Sequence, residues 1–134
     1  MKIVVIDDDD DVREGIRELL QAEGCFTAGA TNGEEALRLL RAADWTPDLI
    51  LLDLKMPIMD GWEFLQQIDG EPNLRRIPLA IITANPGMRR LFEKGRGTDG
   101  STRLLLRGSH RLLLPKPLNL VGLVSIVREL SPSA

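Results

Sequence analysis

Leu49 to Leu52 are four apolar residues in a row, fenced by Pro47 on one side and Pro57 on the other, and the run ends on Asp53. So short an apolar run between two prolines fits a strand covered on both faces, the situation of an interior strand in a parallel sheet. A carboxylate at the end of such a strand costs free energy unless another group meets it. What Asp53 meets therefore decides what this chain can do.

Other runs of the same kind recur along the chain. Lys2 to Ile6 is β-branched and strand-like, and it leads directly into five aspartates, Asp7 to Asp11. Val12, Ile16, Leu19 and Leu20 then fall at helical spacing, and Gly24 ends that helix. Cys25 to Ala30 reads as a weak strand near a sheet edge. Asn32-Gly33 marks a turn, and Glu34 to Ala43 a helix with Ala36, Leu37, Leu39 and Leu40 on its apolar side. After the Asp53 strand and a loop over Pro57 to Gly61, Trp62, Phe64, Leu65 and Ile68 mark a helix that Gly70 and Pro72 break. Ile77 to Thr83 is a further buried strand, ending on a hydroxyl. Leu112 to Leu114 is a short one, closed by Pro115-Lys116-Pro117, and Leu118 to Leu130 carries the last helical pattern. Strands and helices alternate five times, which predicts one α/β domain with a parallel sheet and helices on both faces. Right-handed crossovers put all five strand carboxyl ends on one edge, where ligands bind at the reversal of strand order.

The totals agree with one domain. The chain has 134 residues, 43% of them apolar, enough for a core of its own. No apolar run approaches the roughly 20 residues of a membrane span. Met1-Lys2 leads straight into a strand rather than a secretory signal, so the expected compartment is the cytoplasm. Cys25 is the single cysteine, which excludes an internal disulfide and reads as a small core residue. Charge is segregated: residues 1–85 hold 8 Lys and Arg against 17 Asp and Glu, and residues 86–134 hold 9 against 3. The acidic part calls for a cation or a partner. The basic part suits a solvated or protein-binding surface; with one aromatic, Phe92, and no recognition helix, nucleic acid is not the expected partner.

At the strand carboxyl ends the sequence places Asp7 and Asp8, then Asp53, Thr83 and Lys116. Three converging carboxylates repel one another, and a hard divalent cation that prefers oxygen removes the repulsion; Mg²⁺ suits such a site. A lysine and a threonine opposite the metal are the parts that hold a phosphoryl group, and an aspartate among them can act as nucleophile. The alternative is a lysine that neutralises a buried acidic cluster for stability alone. Asp7, Asp9, Asp11 and Glu18 also match positions of a calcium loop, but Val12 stands where that loop needs glycine, and a strand precedes it.

The runs Val4-Val5-Ile6-Asp7-Asp8-Asp9, Leu51-Leu52-Asp53-Leu54-Lys55-Met56-Pro57-Ile58-Met59-Asp60-Gly61, Ile82-Thr83-Ala84 and Lys116-Pro117 together resemble the receiver domain of two-component response regulators. The resemblance covers nearly the whole chain, and the Asp53 to Gly61 stretch carries most of its specificity. It implies a CheY-like, doubly wound fold with a five-stranded parallel sheet in the order 2-1-3-4-5, as a single domain over residues 1–131 with a frayed end at 132–134. It implies that Asp53 takes a phosphoryl group from the phosphohistidine of a histidine kinase. Asp8 would bind Mg²⁺ directly, Asp7 mainly through water, and the Lys55 backbone carbonyl would complete the protein's share of the shell. Lys116 would pair with a phosphoryl oxygen, with a cis peptide before Pro117, and the Thr83 hydroxyl would move onto the phosphoryl group. The implied protein is a signalling phosphoacceptor rather than an enzyme acting on other substrates. Its partners would be a histidine kinase or phosphotransfer protein and a downstream protein.

The departures from the family pattern lie late in the chain. Leu113 stands three residues before Lys116, where the family usually has an aromatic residue, and the chain has no tyrosine. The segment between Thr83 and Lys116 is longer than the family's and carries Gly95, Gly97 and Gly100. Met88 to Lys94 reads as a short helix, 86–111 as an atypical segment, and 95–108 as mobile or newly folded. This changes the face that receivers use for output, through which altered receivers often form homodimers. His110 reads as a surface residue. A module that keeps the acidic site but only binds proteins, independently of phosphorylation, is the second reading. An aspartate-nucleophile phosphatase is a distant third, because position 55 is lysine where those enzymes need an acid.

Overall fold

The computed structural model describes residues 1–53, 61–83, 92–96, 102–106, 112–115 and 120–130. In chain order the elements are β1 (Lys2–Ile6), α1 (Asp10–Ala22), β2 (Phe26–Ala30), α2 (Gly33–Ala42), β3 (Leu49–Asp53), α3 (Gly61–Asp69), β4 (Leu79–Thr83), β5 (Phe92–Arg96), β6 (Thr102–Leu106), β7 (Leu112–Pro115) and α4 (Leu120–Leu130). They build one sheet in the order β2-β1-β3-β4-β7-β6-β5.

Its parallel part is β2-β1-β3-β4-β7, which is the expected 2-1-3-4-5 order with β7 as the fifth parallel strand. Alternation along these strands sorts the core into two halves. Val4, Ile6, Ile50, Leu52, Leu79 and Ile81 pack with Leu37 and Leu40 of α2 and with Phe64, Leu65 and Ile68 of α3. Ile3, Val5, Leu49, Leu51, Ala80 and Ile82 pack with Ile16 and Leu20 of α1 and with Leu123 and Val127 of α4. Residues of β1, β3 and β4 are thus covered on both faces, which explains their lack of a polar face in sequence.

The helix ends follow local chemistry. The Asp9 carboxylate caps α1 by accepting from the backbone N–H groups of Asp11 and Val12, at 3.0 and 3.1 Å. Gly24, at φ 88°, takes the left-handed turn just past that helix, which a side chain would disfavour. Asn32, expected in a turn, caps α2 through its side-chain oxygen and the N–H of Glu35 at 2.8 Å, so α2 begins at Gly33.

The sheet differs from expectation at one edge. Beyond β7 it continues with two antiparallel strands: β6 pairs with β7, and β5 pairs with β6 in the register Phe92↔Leu106 to Arg96↔Thr102. The short helix read over Met88 to Lys94 is corrected here, since Phe92–Arg96 is strand; residues 84–91 lie outside the described residues. The helical reading rests on Met88, Leu91 and Phe92; of these only Phe92 is among the described residues, and it opens β5 opposite Leu106.

Candidate functional site: an acidic cluster at the strand carboxyl ends

Register brings the key carboxylates together. β1 and β3 run parallel with Ile6 level with Leu52, so the next residues, Asp7 and Asp53, arrive side by side. Both continue the rows that face α1, after Ile3 and Val5 in one strand and Leu49 and Leu51 in the other. Both are buried, Asp7 at 3% and Asp53 at 5% exposure, whereas Asp8 is exposed. One carboxylate oxygen from each of Asp7, Asp8 and Asp53 lies within 4.8 Å of the other two. The cluster stands where β1 has β2 on one side and β3 on the other, at the point where strand order reverses.

The β1–α1 turn is held firmly around Asp7. Its backbone N–H donates to the Ala30 carbonyl of β2 at 3.1 Å. One of its carboxylate oxygens accepts from the Asp9 N–H at 2.9 Å. The amino end of α1, which begins at Asp10, adds the positive end of a helix dipole beside the carboxylates. Arg13, one turn into α1, reaches back with Nη1 to the Asp7 backbone carbonyl at 2.9 Å and with Nη2 to the Asp10 carboxylate at 2.6 Å. Burial works against the Arg13 charge, but hydrogen bonding and charge from Asp10 and Glu14 outweigh it and raise the guanidinium above its ordinary value. Arg13 therefore stays cationic.

The other expected site residues stand as follows. Thr83 ends β4 one position beyond Ile82, which is level with Asp53, and it pairs in register with Pro115, the last residue of β7. Lys116 follows Pro115 in sequence, and both it and Lys55 lie outside the described residues. The calcium-loop pattern does not form a loop: Asp9 caps a helix, and Asp11 is exposed within it.

An all-oxygen, all-carboxylate donor set of this spacing fits a hard divalent cation, and Mg²⁺ among these is suited to a site with few protein ligands. Sequence reasoning missed the cap at Asp9 and the part played by Arg13. The first cation after five aspartates, three residues beyond Asp10, was the available signal for the second.

The family profile of the response regulator receiver domain matches residues 3–95. The chain belongs to the response regulator receiver domain family. An uncharacterised 14.6 kDa protein of Leptolyngbya boryana is 30% identical over 129 residues, covering 96% of this chain and 88% of that protein. The sensor histidine kinase CheAY of Helicobacter pylori is 37% identical over 82 residues, which are 61% of this chain and only 10% of that protein. Among solved structures, the signal receiver domain of a signal transduction histidine kinase from Syntrophus aciditrophicus superposes with a TM-score of 0.74. It is 30% identical, and the match covers 96% of this chain and 88% of that one. Receiver domains are signalling domains of two-component and phosphorelay pathways, so this receiver belongs to signal transduction. Among the described residues no helix is long and apolar enough to cross a membrane.

Proposed function

We propose that this receiver is a phosphoacceptor switch, phosphorylated on Asp53 in a Mg²⁺-dependent reaction. The observation that carries this is the meeting of Asp7, Asp8 and Asp53 at the strand carboxyl ends, in a chain of the receiver family. An Asp53 carboxylate oxygen attacks the phosphorus of a phosphohistidine. The new O–P bond forms as the P–N bond breaks, and the electron pair returns to the imidazole of the donor. Asp7, Asp8, Asp53 and the Lys55 backbone carbonyl are the groups that would hold Mg²⁺. When bound, Mg²⁺ supplies the positive charge that offsets both the carboxylates and the phosphoryl oxygens. Lys116 adds a second positive charge for a phosphoryl oxygen, and the Thr83 hydroxyl takes up a hydrogen bond with the phosphoryl group once it is present.

The donor would be a histidine kinase or phosphotransfer protein, and the output would pass by binding to a downstream protein in the cytoplasm or along a relay. A homodimer through the altered output face is a further assembly consistent with the sequence. A second reading, an interaction module that binds its partner without regard to phosphorylation, draws on the antiparallel extension β6-β5 beyond the fifth parallel strand and on Leu113.

Hydrogen exchange with and without acetyl phosphate and Mg²⁺ separates the two. A switch changes amide protection around Thr83 and over residues 112–115 when Asp53 carries phosphate. Full phosphorylation with unchanged exchange there supports the interaction module. Failure to phosphorylate at all overturns the phosphoacceptor reading.

A further inference from the structure

We propose that Arg13 is the positioning residue of the metal site, fixing the peptide that joins Asp7 to Asp8. This rests on reading the acidic cluster as a Mg²⁺ site. The Asp7 carbonyl belongs to the peptide bond that carries Asp8, and Arg13 Nη1 donates to that carbonyl oxygen at 2.9 Å. On the other side of the same residue, the Asp7 N–H is tied to Ala30 of β2. The turn is thus pinned at both ends of Asp7, once by the sheet and once by α1. Asp8 is exposed, so surrounding side chains do little to fix it, and the placement of its backbone sets where its carboxylate can reach.

The guanidinium is itself held on three sides. Its side chain is only 12% exposed, pairing with Asp10 at 2.6 Å and with Glu14 at 3.3 Å. Beside it lies Gly29 of β2, where an added Cβ would come within 3.2 Å of Arg13 Cδ, 3.3 Å of Arg13 Nε and 3.3 Å of Arg17 Cδ. Glycine is a poor strand residue, and its place in β2 fits the close approach of the two α1 arginines, Arg13 and Arg17, laid across it. Arg13 uses different nitrogens for Asp7, Asp10 and Glu14, a division of labour that a lysine ammonium on its flexible stem cannot reproduce.

A cation beside three carboxylates could instead serve only to neutralise them, and the two roles predict opposite signs. A neutraliser competes with Mg²⁺, so its removal tightens metal binding. A positioning residue preorganises the ligands, so its removal weakens binding, by on the order of 10-fold where an outer group orients a ligand.

The test is calorimetric titration of Mg²⁺ into the full chain and into Arg13→Ala, Arg13→Lys and Gly29→Val, with thermal unfolding of each in EDTA. The proposal expects the wild type to bind Mg²⁺ and both Arg13 variants to bind it several-fold more weakly. It expects Gly29→Val, which keeps the guanidinium but crowds its seat, to weaken binding although valine favours a strand. Should Arg13→Ala not fold, the other two variants decide. Binding unchanged or tighter in the folded Arg13 variants overturns the proposal. A wild type that binds no Mg²⁺ overturns the metal reading itself, a separate and recognisable outcome.

Discussion

Asp9 shows how much work one carboxylate in a charge run can do. Five consecutive aspartates invite a single explanation, yet the structure divides them. Asp7 and Asp8 join Asp53, Asp9 caps α1, and Asp10 pairs with Arg13. The cap is separable from the site, because the bond from Asp9 to the Asp7 carboxylate uses its backbone N–H. Asp9→Ala should therefore lower unfolding free energy by about 1 kcal/mol in urea titrations while leaving Mg²⁺-dependent phosphorylation intact. Cys25 makes a second prediction at this scale. Burial, offset in part by the nearby amino terminus and reinforced by Glu23, raises the thiol above its ordinary pKa. The reactive thiolate is correspondingly scarce near neutral pH. Alkylation by iodoacetamide should be slower than for an unfolded control at pH 8, and the gap should close as pH rises past the raised value.

The elements were legible in sequence wherever burial on two faces or a helical stripe left a strong pattern. The composition and flanking prolines of Leu49 to Asp53 mark an interior strand, and it is wholly buried between two others. Cys25 to Ala30 has the pattern of a weak strand near an edge, and β2 (Phe26–Ala30) is an edge strand of the sheet. Boundaries were less legible, since Asn32 serves a turn or a cap with the same side chain, and only the Glu35 N–H decides between them. The β5–β6 pairing was not legible at all, because neither strand has a repeat of its own and each is defined by the partner it meets. At the site, Asp7, Asp8 and Asp53 could be found because they end buried runs. Arg13 shows in sequence only as the first cation after the run Asp7 to Asp11, three residues beyond Asp10; that its guanidinium reaches the Asp7 carbonyl is decided by the fold. The core also makes a prediction. Phe64 of α3 is fully buried in the half shared with α2, so Phe64→Ala should cost about 3–5 kcal/mol of stability by denaturant unfolding.

Across the whole molecule, charge and architecture divide at the same place. The acidic residues 1–85 build β1 to β4 with the three helices between them, and the basic remainder builds the strands added beyond β4 and the last helix. The family profile ends at residue 95, inside β5, so the stretch it matches contains the acidic cluster. The central claim is that this cluster makes Asp53 a phosphoacceptor. The most direct measurement is intact mass after incubation with acetyl phosphate, with and without Mg²⁺, beside Asp53→Asn. The account predicts a gain of one phosphoryl group that requires Mg²⁺ and is absent from the variant. No gain in the wild type under Mg²⁺, or an equal gain in Asp53→Asn, would contradict it.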